Sequence, residues 1–342
     1  MRNHLRAVLV GCGEMSREWL RFLPEVEGIE LVGLVDIRED SAKARAEEFQ
    51  IADAVIGSDL KTVLGITRPD IVFDITVPEA HVDVTLEALS FGCHVLGEKP
   101  MADSMDNARR MVEAAQKADR IYAVIQNRRY DPRIRRLKEY LATGVAGLIS
   151  TVNSDFYIGA HFGGFRDRMK HVLLLDMAIH TFDAARFLIQ ADPVSVFCRD
   201  WNPEGSWYDH GASAVALFEM SNGVVYTYRG SWCCEGLNTT WESDWRIQCA
   251  NGCIACDGGD VFRGQKVMAA GGFHSELESL ALPDHLQPDK QGGHAGVVRE
   301  FIDCIHTGKA PETICTDNIR SLAMVFSAIE SSETCRWIEV RI

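Results

Sequence analysis

A histidine and a carboxylate stand one helical turn apart in VLLLDMAIHTFDAARFLI, residues 172–189. Asp176, His180, Asp183 and Phe187 recur at i, i+4, i+7 and i+11, so a helix puts them on one stripe of a largely apolar surface. Histidine exchanges a proton near neutral pH, and a carboxylate one turn away orients it and favours its charged form. Such a stripe is either a set of satisfied core groups or the lining of a site that moves protons. A second charged pair, Glu98-Lys99, follows the apolar run HVLG and precedes Pro100. Lysine is seldom buried without a partner. The pair is therefore either a surface ion pair of little worth or a cation delivered to a ligand at the end of a strand.

The N-terminal turn says which ligand. Gly11-Cys12-Gly13-Glu14-Met15-Ser16 lies between the apolar run LRAVLV and a helical stretch. Glycines at the first two positions permit a tight turn and let a pyrophosphate approach the backbone and the helix N-terminus. Ser16 takes the third position and is small enough for helix–strand packing. Gly11, Gly13, Glu14 and Met15 are thus expected to contact a dinucleotide. Asp36 closes the next strand 20 residues after Ser16, where an acid accepts bonds from the adenosine ribose. Its charge repels a 2′-phosphate, which favours NAD; Arg38, two residues on, leaves NADP open. The run DITVPEAH, residues 74–81, ends a strand in polar groups at the edge where ligands of such folds sit. Thr76 and Pro78 are expected at the cofactor, and His81 either caps the next helix or touches it.

Alternating strands and helices must position these groups. Up to about residue 123 near-unbroken apolar strands alternate with helices, the pattern of a parallel sheet covered on both faces. Beyond it come long, often alternating runs such as LISTVNSDFYIG, SAVALFEMS and VVYTYRGSW, which suit an open antiparallel sheet. The expected fold class is α/β: a Rossmann dinucleotide-binding domain over 1–123, then an α+β domain over 124–342 with a large, mainly antiparallel sheet. Asn251-Gly252 reads as a two-residue hairpin turn. Gln126, Arg128 and Arg129 follow the sixth strand of the first domain. His161 and Arg166 lie in the Gly-rich loop AHFGGFRDR, and Trp207, Tyr208, His210 and Trp232 add aromatics and a base. His294 is either a site residue or a helix N-terminal group.

Composition narrows the partners. Among 342 residues, 49 are acidic and 35 basic, a net charge of −14. Such a surface repels nucleic acid and anionic membranes. No apolar run approaches the ~20 residues of a membrane span, and MRNHLRAVLVGCG does not read as a signal peptide, so the cytoplasm is the expected location. The 11 cysteines suit reduced, scattered thiols better than a disulfide framework. Cys253 and Cys256 on a strand would face opposite ways about 10 Å apart, so no metal is expected.

The order of these pieces resembles that of the Gfo/Idh/MocA oxidoreductases, which include inositol and other sugar dehydrogenases. The strand-GxGxx-helix start, Asp36, TVPEAH, GEKP, DMAIH and the C-terminal REFIDCIHTGKAPETICTDNIRSLAMVFSAIESS all contribute, over essentially the whole chain. The resemblance implies that Lys99, Asp176 and His180 are catalytic and that Glu98 holds the nicotinamide ribose. Lys99, Gln126, Arg129, His161, Arg166, Asp176 and His180 are the expected substrate contacts. It also implies hydride transfer between NAD(P) and a hydroxyl or keto carbon of a sugar, cyclitol or related polyol; the arginines leave an acidic sugar open. Relatives that cleave glycosides through NAD, and non-catalytic dinucleotide-binding regulators, are the alternatives. The family often carries a glycine cluster before the DxxxH helix, whereas this chain has Arg168-Met169-Lys170-His171, which puts substrate identity in doubt. Sheets such as the second domain's often pack face to face, so a homodimer or homotetramer is expected.

Overall fold

The structure is a computed structural model that describes residues 4–259, 261–281 and 290–342. Six parallel strands form the first sheet: β1 (Leu5–Val10), β2 (Ile29–Val35), β3 (Val55–Gly57), β4 (Ile71–Asp74), β5 (His94–Gly97) and β6 (Tyr122–Val124). Their order is β3-β2-β1-β4-β5-β6, the arrangement whose carboxyl edges make a dinucleotide site at the switch between β1 and β4. Helices α1 (Glu14–Phe22), α2 (Glu39–Glu48), α3 (Leu60–Thr67), α4 (His81–Ser90) and α5 (Met105–Ala118) connect the strands. Ala7, Val8, Leu9, Val72 and Phe73 are fully buried, as a sheet covered on both faces requires. Polar residues set the helix starts: Asp59 accepts the Thr62 N–H (2.8 Å) before α3, and Ser104 that of Asn107 (3.3 Å) before α5.

The division of the chain differs from a single cut after residue 123. Described residues up to Asn127 form one compact unit with Gly292–Ile319; those from Arg128 to Gln291, with Arg320–Ile342, form the other. Backbone pairing gives the reason. The Ile125 N–H donates to Gly97 O (2.9 Å) and the Val124 N–H to Thr313 O (3.1 Å), so residues past 123 continue the first sheet and a late segment returns to it. The helix Gly293–Thr307 belongs to this unit.

The second unit is built on nine strands: β7 (Ile149–Tyr157), β8 (Pro193–Trp201), β9 (Ser213–Met220), β10 (Val225–Ser231), β11 (Asp244–Cys249), β12 (Gly252–Cys256), β13 (Phe262–Ala269), β14 (Glu276–Leu280) and β15 (Ile338–Glu339). Their order is β14-β13-β12-β11-β7-β10-β9-β8-β15, and among the described residues only β10 and β7 pair in parallel. Alternate residues of the central strands are buried, among them Val152, Phe156, Ala216, Phe218, Tyr226 and Tyr228. Two helices of this unit are α6 (Pro132–Ala142) and α7 (Ile179–Ile189). Phe182 of α7 meets Phe218 and Tyr228 edge-on, with ring centroids 5.0 and 5.1 Å away. Opposite faces of the same strands expose Val194, Phe197, Trp201, Val215 and Val225. The hairpin between β11 and β12 turns at Ala250-Asn251, one residue earlier than Asn251-Gly252, because Gly252 already pairs with Cys249. A Cβ on Gly252 would collide with the carbonyl of Gln265 on β13, so the glycine is needed within the strand. None of the described helices is long and apolar enough to cross a membrane.

Candidate functional site

The first unit carries the turn. Gly11 has φ +93°, and a Cβ there would lie 2.5 Å from the carbonyl oxygen of Ile75. A Cβ on Gly13 would meet nothing within 4 Å, so this face of the turn is open to a ligand. The turn is held from below. Asp36 accepts the Cys12 N–H (2.8 Å) and the Arg38 N–H (2.9 Å), which fixes the carboxylate at the end of β2. Arg45, buried on α2, donates from Nη2 to the carbonyls of Cys12 and Gly13, each at 3.2 Å. Glu48 binds the same guanidinium. Burial, reinforced by Asp36, pushes the Cys12 thiol up to about 12, so it is neutral beneath the turn. Ser16 donates to Gly13 O (2.6 Å) and is fully buried.

At the carboxyl edges of β4 and β5 the polar groups knit together. Fully buried Asp74 holds His81 Nδ1 (3.0 Å) and the Thr76 hydroxyl (2.6 Å). Burial alone would lower the His81 pKa, yet Asp74 outweighs it and the net shift is upward. His81 is the first residue of α4, and its Nδ1 faces this carboxylate. Pro78 is half-buried in the turn before α4. Glu98 is 7% exposed; its carboxylate accepts from the Trp19 indole (2.8 Å) and the Lys99 backbone N–H (3.1 Å). The half-buried Lys99 follows it, with a cis bond to Pro100. His294 is kept neutral chiefly by burial, with Glu98 and Lys99 acting on it in opposite senses.

In the second unit the expected catalytic pair, Asp176 and His180, sits on an irregular helix. Leu173–Ala178 is π-helical and passes directly into α7, where a uniform α-helix was expected over 172–189. Single π turns of this kind frequently mark functional sites. Asp176 lies in the π turn and His180 in the first turn of α7, both less than 9% exposed. Arg166 donates from Nε to Asp176 Oδ2 (2.7 Å). Farther along the stripe the chemistry is structural. Asp183 takes both edges of Arg129 (2.7 and 2.6 Å) and the Ser321 hydroxyl (2.7 Å). Arg129 is thus engaged in a buried ion pair. Arg128 points to Thr181 (3.3 Å), also inside the fold.

The remaining expected residues divide in the same way. Gln126 is 1% exposed just past β6, and its side-chain amide has no hydrogen-bond partner among the described residues. His161 stacks on Trp207 with centroids 3.6 Å apart and pairs with Glu235 (2.8 Å). Tyr208 donates to Ala160 O (3.3 Å), and Trp232 packs on Phe156. Two arrangements escaped the sequence reading. Arg45 follows Asp36 by nine positions on a helix that reads as merely polar. His171 sits at φ +52°, with Nδ1 on Asp200 (2.5 Å) and Nε2 on Glu333 (3.3 Å). Its carbonyl accepts the Leu175 N–H (3.0 Å), an α-type bond at the entrance to the π segment. Among the described residues no three His, Cys, Asp or Glu side chains converge as a metal site.

Comparison with known proteins agrees with this layout. Residues 5–126 match the model of an oxidoreductase family with an NAD-binding Rossmann fold, and residues 134–255 match the GFO/IDH/MocA C-terminal domain. An uncharacterised protein of Sinorhizobium fredii, y4oX, is 28% identical over 94% of this chain and 92% of its own. The 1,5-anhydro-D-fructose reductase of Ensifer adhaerens is 29% identical, over 54% of this chain and 56% of its own, so that match spans little more than half of either protein. An Agrobacterium radiobacter oxidoreductase, solved in complex with NAD+, L-tartaric acid and magnesium, shares the fold with a TM-score of 0.85 over 98% of both chains at 20% identity. With both domain models matched, the chain belongs to the GFO/IDH/MocA family of NAD-binding oxidoreductases.

Proposed function

We propose that the protein transfers hydride between NAD(P) and a CH–OH or keto carbon of a sugar, cyclitol or related polyol. The observation that carries this reading is the pair Asp176 and His180, buried on a helix that is π-wound at the first and α-wound at the second. A protein that only bound dinucleotide would have no need of a paired proton acceptor there. Gly11, Gly13, Glu14 and Met15 would hold the pyrophosphate, Asp36 the adenosine ribose, and Thr76, Pro78 and Glu98 the nicotinamide half. Bound NAD supplies the hydride acceptor. His180 takes the hydroxyl proton, Asp176 orients its imidazole or the substrate, and Lys99 stabilises the alkoxide that develops. Asp36 favours NAD over NADP, since its charge repels a 2′-phosphate. Arg38 is exposed beside it and softens that preference.

A cytoplasmic homodimer or homotetramer accords with this reading. All 11 cysteines are free thiols, and the exposed Val194, Phe197, Trp201, Val215 and Val225 offer a broad apolar sheet face to a second copy. The decisive test is a panel of polyols, aldoses and sugar acids with NAD and with NADP, followed by the absorbance of the reduced nicotinamide. His180→Ala should lower turnover about a hundredfold or more while NAD still binds. Undiminished turnover in that variant would remove His180 from the reaction.

A further inference from the structure

We infer that the substrate is an acid, a sugar acid or related hydroxylated carboxylate, and that Arg166 receives its carboxylate. This rests on the dehydrogenase reading above and narrows it. Arg166 lies in the short 3-10 segment Gly164–Arg168 of the second unit. One of its bonds to Asp176 is good, Nε to Oδ2 at 2.7 Å; the second, Nη2 to Oδ1, is at the limit of a bond at 3.5 Å. Nη1 has no acceptor among the described residues. Arginine offers five donors in a planar fork that matches a carboxylate, so most of its donor capacity is unspent.

Its nearest neighbours besides Asp176 are aromatic. The Phe165 and Phe162 ring centroids lie 4.8 and 5.3 Å from Arg166 Cζ. Contacts of this kind attract the cation without supplying a carbonyl or carboxylate acceptor for its N–H groups. Both rings are more than half exposed, at 57% and 58%, and so lie open to a ligand. Phe162 in turn stands 5.7 Å from the fully buried Trp232, which backs it, and 6.4 Å from Trp241, so Phe162 and the part-exposed Trp241 are the rings open to the apolar face of a sugar ring. An Arg166–Asp176 pair that merely neutralised the aspartate would account for none of these rings.

Charge points the same way. The chain carries −14 overall, yet HFGGFRDRMKH, residues 161–171, sets Arg166, Arg168 and Lys170 against Asp167 alone. Arg168 and Lys170 are exposed. A locally positive loop on an acidic protein concentrates anionic ligands where they are needed, and a neutral sugar gains nothing from it. Arg168 and Lys170 fall in the run that stands where the family pattern often carries glycines.

The experiment compares kcat/KM for matched pairs, aldonates against alditols and uronates against aldoses, with saturating NAD. Acids should be preferred by about tenfold or more, the value of a good charge-assisted bond. Arg166→Met should bring the ratio to within about twofold of unity, and Arg166→Lys, which keeps charge but not the fork, should retain part of it. NAD affinity and thermal melting of each variant identify one that has misfolded. A wild-type ratio near one, or a ratio untouched by Arg166→Met, overturns the inference while leaving the dehydrogenase reading intact. Absence of turnover across acids and neutral sugars alike defeats that reading, and this inference with it.

Discussion

The turn at Gly11–Ser16 and the approach to the π turn at His171 face the same mechanical problem, since each leads a loop into a helix that the proposed function relies on. The first is solved with backbone. Gly11 takes φ +93° without a side chain, and its turn is tied by N–H and C=O bonds to Asp36 and Arg45. The second is solved with charge. His171 accepts a left-handed φ of +52°, a conformation costly to most residues, and two carboxylates far off in sequence hold it there. A backbone device does not titrate and tolerates no side chain. A charge device tolerates a side chain and answers to pH.

The largest effect should come from breaking the backbone device. Gly11→Ala would place a Cβ 2.5 Å from Ile75 O at a φ of +93°, so steric clash adds to about 1–3 kcal/mol of conformational strain. We expect NAD affinity to fall about a hundredfold or more, roughly 3 kcal/mol, by titration of the purified protein. An alanine variant that binds NAD as the parent does would show that the turn is not the cradle.

Next comes the charge device. Asp200 is only 3% exposed at its side chain, whereas Glu333 is 63% exposed, so the first carboxylate dominates. His171→Ala strands Asp200 and should cost about 2–3 kcal/mol in denaturant unfolding. His171→Gly strands it too but relieves the left-handed backbone, and should recover about 1 kcal/mol. Equal losses in the two variants would mean that His171 carries no backbone strain; no loss in either would mean that it is no clamp.

The contrast also explains what could be read in advance. GxG, Asp36 and EKP are local patterns whose meaning depends on a strand before and a helix after, and periodicity supplies both. The His171 clamp joins positions 29 and 162 residues apart, a closeness that exists only after the sheet has formed. Arg45 was hidden differently, since nothing in SAKARAEEFQ says that one of its charges turns inward to the glycine loop. In the Asp176 stripe, spacing alone left core and site as equal readings. Arg129 resolved Asp183 toward the core, and Arg166 marked Asp176 as the more accessible carboxylate.

Titration separates the two units most finely. In the first, burial holds the His94 pKa down at about 4, and its Nδ1 accepts the Ile121 N–H at 3.0 Å. The unfolded chain takes up that proton first as pH falls below the ordinary value of 6.5, so β5 and β6 should lose stability between about pH 6.5 and 4. In the second, the Asp200 hydrogen bond raises the His171 pKa against the opposing effect of burial. Its contribution is complete below 6.5 and is lost as pH rises through the raised folded value. His81 in the first unit shifts upward as well, so an alkaline loss in the whole protein has two sources. Hydrogen exchange corrected for intrinsic rates distinguishes them by segment. Amides near residues 172–180 should lose protection on the alkaline side, and His171→Gly should abolish that change while the acid loss at β5 and β6 persists. If the variant left the alkaline change in place, the charge at His171 would not be what aims the π turn.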